Sequence, residues 1–151
     1  MPTWGQILRE LQPRNNQPPE FDRVRRKYLH DLKVHTKRDV ILYASGWLQK
    51  QAPDALVTIG DEDIHGLMEV AHGLKGPSLD LILHSPGGSL EAAEGIVFYL
   101  RSRFSDIRVI VPQLAMSAAT MIACASNQIL MGQHSFLGPT DPQIFVPTTS
   151  L

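Results

Sequence analysis

Apolar residues at helical spacing open the chain: Trp4, Ile7, Leu8 and Leu11 fall on one face behind Thr3, a residue suited to capping a helix. Pro13 to Glu20 (PRNNQPPE) breaks that period with three prolines and two asparagines and reads as a loop or linker. Phe21, Val24, Tyr28 and Leu32 resume it as a second helix. A short β-branched run, Val40 to Ala44, predicts a buried strand bounded by Asp39 and Ser45-Gly46. Gly46 to Ile59, with Gln49, Lys50, Gln51, Pro53 and Asp54, reads as an exposed excursion.

The rest alternates. A helix from Asp61 carries Ile64, Leu67, Met68, Ala71 and Leu74 on one face and stops at Gly76-Pro77. Leu79 to Leu83 predicts a strand, Ser89 begins a helix with Leu90, Ala93, Val97 and Leu100 as its stripe, and Ile107 to Val111 predicts another strand. Ser117 to Ser126 follows as a small-residue helix, and Ile129 to Met131 starts a fourth strand. Strand and helix in this order predict βαβ units and a mainly parallel sheet covered on both faces. In such sheets functional groups collect beyond the C-terminal ends of the strands.

Composition narrows this reading without redirecting it. At 151 residues and 43% hydrophobic, the chain has the material for one core. Fourteen basic and fifteen acidic residues give no overall charge to recruit nucleic acid or an anionic membrane. Seven of the basic residues lie between Arg23 and Arg38, a helical stretch that also carries Asp31, and read as a solvated face. The lone Cys124 excludes an intramolecular disulfide, so a reducing, cytoplasmic setting is the expectation. Val109 to Asn127 has little charge but is broken by Pro112-Gln113, which suits a strand, turn and helix rather than a membrane span.

Two turns carry the candidate chemistry. Ser85-Pro86-Gly87-Gly88 follows a strand and precedes a helix, and paired glycines let backbone N–H groups approach a ligand. The same residues also make an ordinary tight turn. Ala115-Met116-Ser117-Ala118-Ala119-Thr120 repeats the arrangement one strand-helix unit later. Ser117 is then either a helix cap or a nucleophile set where an oxyanion is favoured.

SPGG after a strand, a small-Ser-small turn about thirty residues on, and ACASNQILMG before HSFLGPTDPQ resemble the Clp/crotonase superfamily. Within it, the match is to the serine dehydrogenase proteinase family, related to signal-peptide peptidase A. The likeness runs from Thr3-Trp4-Gly5-Gln6-Ile7-Leu8 through Arg25-Arg26-Lys27-Tyr28-Leu29 and Ser45-Gly46-Trp47-Leu48-Gln49 to Asp141-Pro142-Gln143. It implies an α/β, crotonase-like ββα superhelix and a serine peptidase acting on peptide or protein substrates through Ser117. It also implies an oxyanion hole from the backbone N–H groups of Gly88, helped by that of Gly87, and of Ala118, no metal or cofactor, and a homo-oligomer. Residues 1–20 are then an N-terminal helix and linker, and 21–151 the N-terminal part of the peptidase domain, which ends short of the family's usual length.

The expected base has no counterpart in the sequence. Lys75 is the last lysine, and the place of the Clp histidine falls near Thr140. His134 and His84 are the remaining candidates: His134 lies in a Gly132–Ser135 turn, where an exposed residue without a catalytic role is the commoner reading, and His84 at a strand end, where a hydrogen bond fixing the turn is an equal reading. Asp141 serves either to orient a base or to make a turn between prolines. Two other readings remain open: a catalytically incomplete scaffold or binding module, and acyl-coenzyme A chemistry on the same fold.

Overall fold

The computed structural model describes residues 2–12, 18–49, 52–53 and 56–141. Much of the linker expected between Pro13 and Glu20, part of the excursion after Gly46, and the apolar ending after Asp141 lie outside the described residues. The chain divides into two compact units, residues 1–40 and 41–151.

The first unit is a pair of helices. Helix α1 (Trp4–Leu11) is closed by a reciprocal capping box: the Thr3 hydroxyl accepts from the Gln6 N–H at 3.3 Å, and the Gln6 side chain accepts from the Thr3 N–H at 2.7 Å. Helix α2 (Phe21–Thr36) ends where Lys37 turns left-handed at φ 58° and donates its N–H to the Lys33 carbonyl. Glu10 joins the two helices, accepting from Lys27 at 2.9 Å and from the Tyr28 hydroxyl at 2.8 Å.

The second unit is built on a four-stranded sheet. Strands β1 (Asp39–Ala44), β2 (Ser78–His84), β3 (Asp106–Val111) and β5 (Gln128–Met131) lie in the order β1-β2-β3-β5, with β2/β3 and β3/β5 parallel. A four-residue β5 and two-residue β4 (Leu114–Ala115) and β6 (Phe136–Leu137) complete the strands, β4 and β6 pairing with each other in a second, small parallel sheet. Alternation sets the faces. Leu79 and Leu81 register beside Ile107 and Val109, and these four, with Leu83 and Val111, are all buried, because successive strand residues point to opposite sides. Helices α3 (Glu62–Ala71), α4 (Leu90–Arg103) and α5 (Ala118–Cys124) supply Leu67, Ala71, Ala92, Ala93, Ile96, Leu100, Ala118, Ala119, Ile122 and Ala123 to the same core. Each fully buried Leu or Ile contributes about 1.5–3 kcal/mol of transfer free energy, so this face holds the unit together.

The second face of the sheet carries a charged pair that the apolar pattern did not reveal. Asp80 is fully buried, sits opposite Arg108 in the register, and accepts two hydrogen bonds from its guanidinium at 2.9 and 2.7 Å. The forked geometry satisfies both carboxylate oxygens, which is what permits a carboxylate in that position. Mixed α/β layering with a mainly parallel sheet is the architecture that the strand and helix alternation predicts.

Candidate active site

The C-terminal ends of β2 and β3 bring the two small-residue turns together. Ser85, wholly buried, does the joining: its N–H donates to the Leu114 carbonyl at 3.1 Å, and its own carbonyl accepts from the Met116 N–H at 3.0 Å. Ser85 and Ala115 thus form a parallel bridge. One residue beyond that bridge on one side lies the Pro86-Gly87-Gly88 turn, and on the other side Met116-Ser117. The SPGG turn and the serine turn are held by the same backbone ladder.

Contact at the joint leaves no room for a side chain on Gly87. A Cβ built there would fall 2.6 Å from the Met116 carbonyl oxygen, 2.6 Å from Ser117 Cβ and 3.1 Å from the Ala118 nitrogen. Its φ of 97° is a further reason for glycine. The Gly87 N–H donates to Ser85 Oγ at 3.1 Å, closing the turn from within.

Gly88 is held from its other side by Ile59, a residue that pattern reading left inside an exposed excursion but which is 2% exposed. Ile59 donates to the Gly87 carbonyl at 2.8 Å and accepts from the Ser89 N–H at 2.9 Å, in a parallel bridge to Gly88. A bridge of this kind uses the groups flanking Gly88, so the N–H of Gly88 itself faces away from Ile59. A Cβ on Gly88 would lie 2.3 Å from the Ile59 carbonyl oxygen. Among the described residues, the N–H groups of Gly88 and Ala118 have no protein acceptor.

Ser117 has the backbone of a strained turn. Its φ of 51° and ψ of −122° lie outside the regions open to residues with a Cβ, at a cost on the order of 1–3 kcal/mol. It precedes α5 in the capping position, yet its side chain makes no cap hydrogen bond. Its hydroxyl has no hydrogen-bond partner among the described residues. The capping reading of this serine therefore fails on its backbone and on its side chain.

The candidate bases are elsewhere engaged or apart. His84 Nδ1 lies 3.2 Å from the Leu114 carbonyl and 3.4 Å from the Leu114 nitrogen, so the ring ties the end of β2 to β4; Trp47 packs near it with ring centroids 6.5 Å apart. His134 is exposed on a turn closed by Ser135, whose N–H donates to the Gly132 carbonyl and whose hydroxyl donates to the Val111 carbonyl at 2.7 Å. No hydrogen bond joins His134, or the exposed Asp141, to Ser117 among the described residues. Within the same residues no group of three or more His, Cys, Asp or Glu is arranged to hold a metal ion, and no helix is long and apolar enough to cross a membrane.

Residues 56–151, which contain both turns, match the family model described as ClpP-like SDH-type serine proteinase. The chain belongs to that family. Its membership covers well over half of the sequence and agrees with the resemblance carried by SPGG and the serine turn. Among curated relatives, the uncharacterized protein MJ0137 of Methanocaldococcus jannaschii is 43% identical over 89 residues, 58% of this chain and 30% of that protein. The uncharacterized protein MJ1495 of the same organism is 42% identical over 66 residues, 44% of this chain and 23% of that protein. The matched stretch thus spans less than a third of either relative's length. Among solved structures, the ClpP protease catalytic domain of Plasmodium falciparum superposes with a TM-score of 0.51 at 16% identity, covering 80% of this chain and 64% of that one. At that identity the likeness bears on the fold alone, which is ClpP-like.

Three positions that order the site were not singled out from sequence: Ser85, Ile59 and Thr120. Thr120 donates its hydroxyl to the Ala115 carbonyl at 2.7 Å and accepts from the Gly138 N–H at 2.7 Å. The signal for Ser85 and Thr120 lay within the quoted motifs, as their first and last residues. Ile59 has no local signal, since its partner is 29 residues away in sequence.

Proposed function

We propose that the chain hydrolyses peptide bonds through nucleophilic attack by Ser117, with the backbone N–H groups of Gly88 and Ala118 holding the oxyanion. The observation that carries this reading is the strained, uncapped Ser117 packed against the Gly87 turn. A hydroxyl that a helix would otherwise use as a cap is left free, beside two amides without acceptors. Attack on a peptide carbonyl places negative charge on its oxygen, and two fixed N–H groups stabilise that charge; one such donor is worth about 10²–10³ in rate. Gly87 acts through shape, closing the turn onto Ser117, while its own amide stays with Ser85 Oγ.

Membership of a serine proteinase family supports the reaction class. Protein or peptide substrates and assembly into a homo-oligomer belong to the same proposal, as the resemblance to the Clp/crotonase superfamily implies them. His134, the candidate proton acceptor, is exposed and makes no hydrogen bond to Ser117 among the described residues. The lack of a base bonded to Ser117 among the described residues favours, as second reading, a binding module that retains the oxyanion site without turnover.

A fluorophosphonate probe separates the two. Peptide mass mapping is expected to find the adduct on Ser117, and Ser117→Ala to abolish it. Folded protein that takes no adduct, or takes it at another residue, would sink the peptidase reading.

A further inference from the structure

We infer that Thr120 is a positioning residue for the nucleophile, and that it couples the Ser117 turn to the segment from Gly138 to Asp141. This inference rests on the reading of Ser117 as nucleophile and adds a residue to it. Thr120 is 5% exposed, and its single hydroxyl is used in both senses. It donates to the Ala115 carbonyl, two residues before Ser117, and accepts from the Gly138 N–H, just past β6. Its backbone N–H also donates to the Ser117 carbonyl at 2.9 Å. One residue therefore grips the turn on both sides of the serine.

A strained conformation persists only where its surroundings over-determine it. Around Ser117 the determinants are Gly87 pressing from one side, the Ser85 ladder holding Met116, and Thr120 fixing Ala115 relative to the first turn of α5. Of these, Thr120 alone also reaches the Gly138 segment. That segment carries Thr140 and Asp141, the polar side chains that follow β6. The coupling ties the backbone at Gly138, two residues before Thr140, to the nucleophile turn, which is what a site assembled from separate loops requires.

Valine has the shape of threonine and neither hydrogen-bonding function, so Thr120→Val removes both ties while keeping the volume. Because a misplacement of about 1 Å can cost about 10²-fold, the rate of fluorophosphonate inactivation at saturating probe is expected to fall by about that factor. The probe concentration for half-maximal inactivation is expected to stay unchanged, since the probe's binding surface is intact. Thr120→Ser keeps the hydroxyl and is expected to restore the rate. Hydrogen exchange at the Gly138 amide is expected to accelerate in Thr120→Val and not in Thr120→Ser. All rates are compared at temperatures where circular dichroism shows each variant folded; if Thr120→Val does not fold, Thr120→Cys, similar in size and a weak hydrogen-bonder, takes its place.

Wild-type labelling with an equal rate in folded Thr120→Val or Thr120→Cys would overturn the positioning role and leave Ser117 as nucleophile. So would a Thr120→Ser variant as slow as the valine, because the methyl group and not the hydroxyl would then be what matters. Absence of labelling in the wild type would remove the nucleophile reading itself.

Discussion

Ser89 and Ser117 stand in the same place in their respective units: each follows a strand and a turn of small residues, and each precedes a helix. Their backbones separate them. Ser89 adopts φ −61° and ψ 132°, and its hydroxyl accepts from the Ala92 N–H at 3.1 Å, an ordinary cap for α4. Ser117 adopts φ 51° and ψ −122° and caps nothing. Residue type and position in the strand-turn-helix unit are therefore not enough to assign a serine's role. The discriminating feature is whether the backbone around it is relaxed, with the hydroxyl turned to the helix, or strained, with the hydroxyl left free.

The largest break in that contrast comes from Gly87. Adding a methyl group there puts a carbon 2.6 Å from both the Met116 carbonyl oxygen and Ser117 Cβ, so the two turns must separate. On the proposal that the Gly88 and Ala118 amides share the oxyanion, Gly87→Ala is expected to slow phosphonylation of Ser117 by about 10²–10³-fold, the cost of losing an oxyanion donor. Inactivation kinetics with the fluorophosphonate measure it. An unchanged rate would show that the two turns act separately.

A smaller effect, of opposite sign, follows from the strain itself. Replacing Ser117 by glycine relieves a conformation costing about 1–3 kcal/mol, against about 0.4–1 kcal/mol lost to the greater freedom of glycine in the unfolded chain. Ser117→Gly is therefore expected to unfold at higher denaturant concentration than the wild type. Ser117→Ala, which keeps a Cβ, is expected to leave the midpoint close to that of the wild type. Urea titrations of the three proteins decide it, and a glycine variant no more stable than the alanine one would mean that the turn is not strained.

The main elements were legible because their signals are local. Period-3.6 apolar stripes marked α1, α2, α3 and α4, short β-branched runs marked β1 and β3, and the leucine-rich run from Leu79 to Leu83 marked β2. Strand-helix alternation then sufficed for a parallel sheet. What could not be read lies in pairings between distant residues. Strands β4 and β6 are two residues each, too short to carry a period, and exist because Leu114 and Ala115 find Phe136 and Leu137. Ile59 reads as one apolar residue after a polar excursion, and only its bridge to Gly88 gives it a role. The Asp80–Arg108 pair is a contact between neighbouring strands, hidden in a sequence where each residue simply looks like a charge in an apolar run. At the site, the motifs brought Gly87, Gly88, Ser117 and Ala118 into view, while the conformation that distinguishes Ser117 from Ser89 has no sequence signature when both are serines before a helix.

The smallest effect sharpens the comparison from the side of Ser89. Besides capping Ala92, the Ser89 hydroxyl donates to the Glu91 carboxylate at 2.8 Å, and hydrogen bonds from the Glu91 backbone and from Ser89 hold that carboxyl below its ordinary range. A carboxyl depressed by folding adds stability above its unfolded pKa, and that part is lost as the pH falls through the lower folded value. Ser89→Ala removes the cap at every pH, at a cost of about 1 kcal/mol, and removes the Glu91 bond only where Glu91 is ionised. The stability gap between wild type and Ser89→Ala is therefore expected to be widest near neutral pH and to narrow in acid, with inactivation of Ser117 by the probe unchanged at neutral pH. Urea titrations at the two pH values test the first part and labelling rates the second. A Ser89→Ala variant that lost labelling as severely as Gly87→Ala would erase the distinction between a serine that holds a helix and one that is held for chemistry.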